Sequence, residues 1–411
     1  MSHEELAAWL RLVLTPGVGN DAGRRLLAAF GLPQAIFDQT ASALRQVVSA
    51  AQTSALLSPP TKLPAQVQAT HDWLTAGDSD GTQQRRLVTL GDPLYPASLL
   101  NLEDPPLMLY LLGQVRLLGA QPNLASAPVS KAPDASHSIA NSWPTKALAM
   151  VGSRNPTPQG AQNARQFAKA LSDAGLTVVS GLALGIDGAA HEGALVNHLI
   201  DTPASRLRTL AVIGTGIDRV YPRQHRDLAH RVATHGLIVS EYPLGTPPLA
   251  ANFPKRNRLI AGLSSGTLVV EAALQSGSLI TARLTAEQGK EVLAIPGSIH
   301  SPQSRGCHAL IRQGAKLVET ATDILEELPW PEVSSTTNKI ADVTDAASAS
   351  PASNTHSDLL QALGADPVSL DALQARTGLD TATLQAHLLE LELQGAVGRL
   401  PGGLFQRMGL G

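Results

Sequence analysis

The sequence predicts an α/β protein: a doubly wound parallel sheet set between a helical N-terminal region and a small winged-helix module. Three observations carry this. Lys146–Leu195 reads as strand, glycine turn, helix, strand, glycine turn, helix. Four more short apolar runs follow it, each separated from the next by helical sequence, which is the pattern of parallel strands with crossover helices. The last fifty or so residues then show three amphipathic helical segments and two short strand-like runs around Pro401-Gly402-Gly403.

Taken in order, Glu5–Leu14 carries an apolar stripe, meets Thr15-Pro16-Gly17-Val18-Gly19-Asn20, and gives way to a second helix over Ala22–Phe30. Two helices joined by a Gly-x-Gly hairpin resemble SAM and helix-hairpin-helix modules, in which hairpin N–H groups can hold a phosphate. A compact structural domain is the better reading, because Arg24 and Arg25 are the only cations close behind the hairpin. Pro59–Pro64 reads as a linker, Arg86–Leu90 and Leu107–Leu112 as strands, and Gly119–Pro144, rich in Ala, Ser and Pro, as a disordered insertion.

Leu148–Val151 is the first strand of the central unit, and Gly152-Ser153-Arg154 breaks it. Pro156 and Pro158 stand where a helix can start. Ala161, Ala164, Phe167, Ala168 and Leu171 recur at helical spacing up to Gly175. Leu176–Val179 is the next strand, and Gly181, Gly185 and Gly188 precede a helix over Ala189–Leu195. Strands are expected at Leu210–Ile213, Leu237–Ser240, Thr267–Val270 and Glu291–Ile295, with a loop insertion at Asp201–Arg208 and a second linker over Pro331–Ser357. The domain boundaries that follow are 1–64 (helical), 65–118 (start of the sheet region), 119–146 (insertion), 147–330 (core), 331–356 (linker) and 357–411 (winged helix).

Composition bounds the function. A chain of 411 residues with 43% hydrophobic content holds about two to three domains. One cysteine, Cys307, excludes a disulfide framework and a multi-cysteine zinc site, and reads as a packed residue. Met1–Leu10 carries Glu4 and Glu5 and no basic start, and no apolar run approaches the ~20 residues of a membrane span, so a cytoplasmic location is expected. The net charge of −3 is unevenly spread: Lys146–Trp330 holds 18 Lys and Arg against 14 Asp and Glu, and the rest of the chain is acidic. A basic middle of this kind fits a polyanionic partner.

Chemistry-bearing residues gather at the expected strand ends, where open α/β sheets bind anions and nucleotides. They are Gly152, Ser153 and Arg154; Gly181 within Ser180–Asp187; Gly214-Thr215-Gly216 with Arg223; Asn252, Phe253, Lys255, Arg256, Asn257 and Arg258; and Ser276, Gly277 and Ser278. The Gly152–Arg154 turn reads either as a phosphate site or as a tight turn with a solvated arginine. The Asn252–Arg258 cluster is the most telling. It pairs phosphate-neutralising cations with a ring on which a base can stack, and it borders an apolar segment instead of running along an exposed face. Asp187 reads as a helix N-cap with His191 packed nearby. There is no GxGxxG after the first strand, no GxxxxGK[ST] and no HExxH, and Ser153, Ser180, Ser276 and Ser278 lack the GxSxG elbow of a hydrolase. No catalytic residue, metal ligand or cofactor is therefore expected.

These motifs resemble, in order, those of the DNA-processing protein A family (DprA, also called Smf). The residues are VGSR, SGLALGID with AH, GTGIDRVYP, SEYPLGTPP, FPKRNRLIAGL, VVEAALQSGSLITA and AIPG. The likeness is dense from Met150 to about Leu328 and looser at both ends. It implies a Rossmann-like core without catalysis that binds single-stranded DNA, forms a homodimer and loads RecA recombinase on incoming strands during natural transformation. It also implies a phosphate pocket made by Ser153, Arg154, Gly181, Arg223, Phe253, Arg256, Asn257 and Arg258, with Lys255 adding charge. Gly306-Cys307-His308 departs from the family pattern, which has Asn at the last position. The alternative is a nucleotide phosphoribohydrolase on a related fold, but Pro296-Gly297-Ser298 lacks the GT-x-x-E that such enzymes place after PGG. From Ser357 onward there are three basic and six acidic residues, so the C-terminal module is expected to meet protein rather than DNA.

Overall fold

In the computed structural model the described residues are 1–76, 83–118, 143–197, 206–328, 359–360, 362–363, 367–400 and 402–407. The expected insertion at Gly119–Pro144 lies outside them except for its last two residues, as do most of Asp201–Arg208 and all of Pro331–Ser357.

Six helices open the chain: α1 (His3–Leu14), α2 (Asn20–Phe30), α3 (Pro33–Phe37), α4 (Ala41–Arg45), α5 (Ala50–Leu57) and α6 (Leu63–Thr75). A capping box starts α1: Ser2 Oγ accepts from Glu5 N, and the Glu5 carboxylate accepts from Ser2 N. Helix α6 corrects the expected linker and boundary. It begins inside Pro59–Pro64, with Pro64 in the first turn where a missing N–H costs nothing. It packs on α1, so the helical unit runs past residue 64.

A nine-stranded sheet follows: β1 (Gln84–Thr89), β2 (Met108–Gly113), β3 (Ala147–Val151), β4 (Thr177–Ser180), β5 (Thr209–Ile213), β6 (Leu237–Ser240), β7 (Gly266–Val269), β8 (Glu291–Ala294) and β9 (Lys316–Leu317). Its order is β1-β2-β6-β5-β4-β3-β7-β8-β9. From β6 to β9 every neighbouring pair is parallel. The two strands from residues 65–118 join as an antiparallel edge, β1 on β2 and β2 on β6. No crossover helix lies between them to return the chain in the parallel sense.

The crossover helices are α7 (Pro158–Asp173), α8 (Ile186–Ala194), α9 (Arg226–His235), α10 (Asn252–Gly262), α11 (Ser278–Glu287) and α12 (Arg305–Arg312), and α13 (Ala321–Glu327) follows the last strand. Chain direction across the sheet reverses between β3 and β7, which pair from Leu148↔Gly266 to Val151↔Val269. A crevice opens outside the carboxyl ends of the two strands at such a switch point. Strands β3, β4 and β5 are buried throughout, as expected of a sheet covered on both faces. The N-terminal helices share one apolar core with the antiparallel edge, through Leu10, Leu26, Met108 and Tyr110.

The C-terminal module comprises β10 (Val368–Ser369), a helix over Leu370–Thr377 (α14), a helix over Thr381–Leu393 (α15), β11 (Val397–Leu400) and β12 (Leu404–Arg407). Its three-stranded sheet has order β10-β12-β11, and its core is its own, with Leu373, Leu384, Leu388 and Phe405. The wing strand β11 rests on α7, so the acidic module meets the core of its own chain.

Candidate nucleic-acid interface

The crevice at the switch point holds a cavity of about 490 Å³. Four helices start around it, α7, α8, α10 and α11, and each N-terminus brings a positive dipole end. Two are already occupied by the chain itself. Glu271, just past β7, accepts from Thr157 N at 3.0 Å and Thr157 Oγ1 at 3.2 Å, at the start of α7. At α8, Ile186 N and Gly188 N donate to Ser153 O and Ala183 O, each at 3.1 Å, and Asp187, in the first turn, accepts from Gly181 N at 3.2 Å in the turn after β4. Burial pushes both carboxyls above their usual pKa range; for Asp187 the nearby Arg256 charge opposes the shift. Asp187 is not the N-cap expected of it, since Gly185 holds that position (φ +80°). A Cβ at Gly185 would stand 2.3 Å from Ser153 O, so this turn admits only glycine.

Helices α10 and α11 are different. Neither has an acidic residue in its first turn. The Ser276 and Ser278 hydroxyls, 2.7 Å apart, lie at the mouth of α11.

The structure brings Gly152, Ser153, Arg154, Phe253, Arg256, Asn257, Ser276, Gly277 and Ser278 to this one cavity. Ser153 N donates to Glu271 O at 2.7 Å, which sets the turn. Arg154 is exposed, and its guanidinium carbon stands 5.8 Å from the centre of the Phe253 ring. Asn257 reaches towards Gly277 O and accepts from Arg256 Nε at 3.2 Å.

The remaining expected residues sit elsewhere. Gly181 lies behind the cavity wall, with a Cβ position 2.5 Å from the Arg256 guanidinium. Asn252 donates from Nδ2 to Gly214 O at 3.1 Å and ties the start of α10 to the turn after β5. Lys255 stands 4.0 Å from Asp104. Arg258 is turned into the protein, 2.6 Å from Glu241, with its side chain 11% exposed. Arg223 is exposed and does not line the cavity.

Arg256 lines the cavity but is not a free cation. It is 4% exposed and donates to Gly181 O at 2.7 Å and to Val212 O. Burial lowers its pKa to about 10, against the opposing pull of Asp187. It clamps the turn after β4 to β5. Of the four cations expected around the pocket on α10 and the first turn, Arg154 is thus the exposed one that faces it.

Tyr221, named in the sequence only as part of the Tyr221-Pro222-Arg223 turn and given no role there, stands beside the site. It is 50% exposed, and its ring lies 5.5 Å from that of Phe253, tilted by 39°. Its signal was there: an aromatic in a strand-end turn, in a chain with 3% aromatic residues. Gln275, Thr281 and Gln303 also line the cavity without a distinguishing sequence pattern. Cys307 is buried, and burial pushes its thiol up to about 12, which keeps it unreactive. No group of His, Cys, Asp and Glu among the described residues is arranged to hold a metal ion, and no helix among them is long and apolar enough to cross a membrane.

Comparison with known proteins agrees with this architecture. The family model of DNA recombination-mediator protein A matches residues 138–329, and the DprA winged helix domain model matches residues 343–403. Protein Smf of Escherichia coli is 39% identical over 324 residues, covering 77% of this chain and 76% of that protein. The DNA processing protein DprA of Streptococcus pneumoniae is 41% identical over 239 residues, covering 58% and 73% of the two chains. The X-ray structure of DprA from Streptococcus pneumoniae superposes with a TM-score of 0.61 at 30% identity, covering 80% of this chain and 99% of that one. With a doubly wound sheet, a glycine-lined crevice at its switch point and a winged-helix module of matching type, the chain belongs to the DprA/Smf family of DNA recombination mediators, which are DNA-binding proteins and not enzymes.

Proposed function

We propose that this protein binds single-stranded DNA in the switch-point crevice and hands it to a RecA-type recombinase during uptake of incoming DNA. One observation carries the reading: an exposed arginine and two aromatic rings stand beside two helix N-termini that no carboxylate of the chain fills. Phosphates are held by Arg154, by the positive dipole ends of α10 and α11, and by the Ser276 and Ser278 hydroxyls. Bases stack on Phe253 and Tyr221. Neither element reads base edges, so binding is tolerant of sequence. A homodimer in the cytoplasm is the working form, and the acidic winged-helix module serves protein contacts. Glu271 is committed to the start of α7, which counts against a phosphoribohydrolase needing a carboxylate at a sugar.

The test is fluorescence anisotropy of a labelled oligo-dT strand at two salt concentrations, with the full chain and with Arg154→Glu. Wild-type affinity is expected to fall with salt at a log–log slope of roughly −0.7 per neutralised phosphate. The variant is expected to stay folded and to lose most of that affinity. Equal binding by both proteins, or binding indifferent to salt, overturns the crevice as the site. RecA filament growth on the bound strand, compared with the free strand, tests delivery.

A further inference from the structure

Helix α10 carries the aromatic of the crevice, and something must fix where it lies. At 3.6 residues per turn, Lys255 and Arg258 leave the helix roughly opposite Phe253 and Asn257. On that side five polar groups from four segments converge. Asn20, the first residue of α2, donates from Nδ2 to Asp104 at 3.0 Å and to Glu241 at 2.7 Å. Arg24, one turn further along α2, donates to Asp104 at 2.9 Å and to Pro105 O at 2.8 Å. Arg258 donates to the Glu241 oxygen that Asn20 also uses and stands 3.6 Å from Asp104. Asp104 belongs to the loop before β2, and Glu241 directly follows β6. Burial alone would push the Asp104 carboxyl up, but its hydrogen bonds to Arg24 and Asn20 and the nearby cations hold it below the usual range.

This junction takes one of the two cations that a DNA-holding hairpin in the N-terminal unit would use, and the other, Arg25, pairs with Asp21 at 3.1 Å. Arg24 is already bound to Asp104 and to backbone carbonyls. What the junction does instead follows from its chemistry. Half-buried ion pairs add little net stability, but they are directional and tolerate one arrangement where apolar contacts tolerate several. Here the directional contacts join the N-terminal helices to the back of α10.

We infer that Asn20, Asp104 and Glu241 are positioning residues for the strand: through Arg258 they make the N-terminal helical unit set the place of α10, and with it Phe253 and Asn257. The inference rests on the crevice being the DNA site. None of these three side chains lines the cavity, so none needs to touch DNA to act.

The experiment measures oligo-dT affinity, its salt slope and thermal melting for the full chain carrying Asn20→Ala, Asn20→Asp, Asp104→Asn or Phe253→Ala, and for the double variant Asn20→Ala with Phe253→Ala. Asn20→Ala is expected to weaken binding roughly 3- to 10-fold, the equivalent of one or two hydrogen bonds. Its salt slope should match wild type, because the phosphate contacts remain, and its melting should change little. Asn20→Asp sets a third carboxylate beside Asp104 and Glu241 and should weaken binding further. The double variant should lose less than the two single losses combined, because Asn20 acts through Phe253. Wild-type affinity in Asn20→Ala and Asp104→Asn, or strict additivity with Phe253→Ala, overturns the inference while leaving the crevice intact. If the unaltered chain fails to bind the strand at all, the crevice reading falls and this inference falls with it.

Discussion

The two halves of the switch-point crevice are built from the same parts and end up in opposite states. On one side α7 and α8 start beside strands β3 and β4, and on the other α10 and α11 flank β7. Every one of these helices offers an anion site by geometry alone. The chain fills the first pair itself, with the Glu271 carboxylate on α7 and the Ser153 and Ala183 carbonyls on α8, and reaches across with Arg256 to tie the turn after β4. It leaves the second pair without acid and sets Arg154, Phe253 and Tyr221 next to them. The filled half is a rigid wall, and the open half is a site. The lesson is that a glycine turn at a strand end says an anion can be held there; which anion depends on whether the protein supplies its own.

If this division is right, substitutions on the two halves act on different observables. The largest effect is expected from Arg256→Ala. It removes a buried cation from two carbonyls and leaves Asp187 without its opposite charge, which costs about 3–5 kcal/mol of stability. Denaturant unfolding should show this loss directly. A stable, fully folded Arg256→Ala that has merely lost DNA affinity would mean that Arg256 belongs to the open half. Next comes Phe253→Ala, which removes a stacking platform worth about 1–3 kcal/mol per base, or roughly 5- to 150-fold in affinity. Unfolding should stay close to wild type, because the ring lines the cavity and leaves the sheet core untouched. Tyr221→Ala should act in the same direction and more weakly on its own. If Phe253→Ala unfolds the protein and leaves residual affinity unchanged, the ring is a packing residue and the comparison fails.

The course of the sheet could be read from the chain almost strand by strand. Buried parallel strands are short apolar runs closed by glycine or by a polar turn, and nothing else in the core looks like that. The antiparallel β1–β2 edge was less legible, because a strand's own pattern does not say which neighbour it will take or in which sense. Only two residues long, β9 left no pattern at all. The crevice was legible as a set of turns, and nine of the expected residues meet in one cavity. What the pattern could not resolve was where each cation points. In FPKRNR the three cations look alike, yet they part: Lys255 and Arg258 turn to Asp104 and Glu241, and Arg256 points inward onto carbonyls. Those partners lie far away in sequence, on a loop before β2 and at the ends of β4, β5 and β6. Tyr221 was visible in its turn but carried no role for the same reason, since its place beside Phe253 depends on how two separate turns fold together.

The smallest effect sharpens the comparison most, because it acts on the filled half without a mutation. His191, on α8, is fully buried, with Nδ1 2.7 Å from Thr209 Oγ1. Burial lowers its pKa to about 3, and the charges of His225 and Arg256 push the same way. In the unfolded chain the ring titrates near 6.5. Between these two values the unfolded state binds a proton that the folded state refuses, so stability falls as pH drops through 6.5 and goes on falling towards 3. Between pH 7.5 and 5.5 this one group should cost about 1.4 kcal/mol, the free energy of one pKa unit. His191→Gln keeps a polar side chain beside Thr209 and removes the titration. Urea unfolding at pH 7.5 and 5.5 should therefore show a smaller pH difference in the variant than in wild type, by about that amount. Equal pH differences would mean that the ring is accessible to protons in the folded state. Arg154 stays charged over the whole range, so while the protein is folded its salt-dependent hold on a strand should change little over the same pH interval. A parallel loss of affinity and stability would show that wall and site move together.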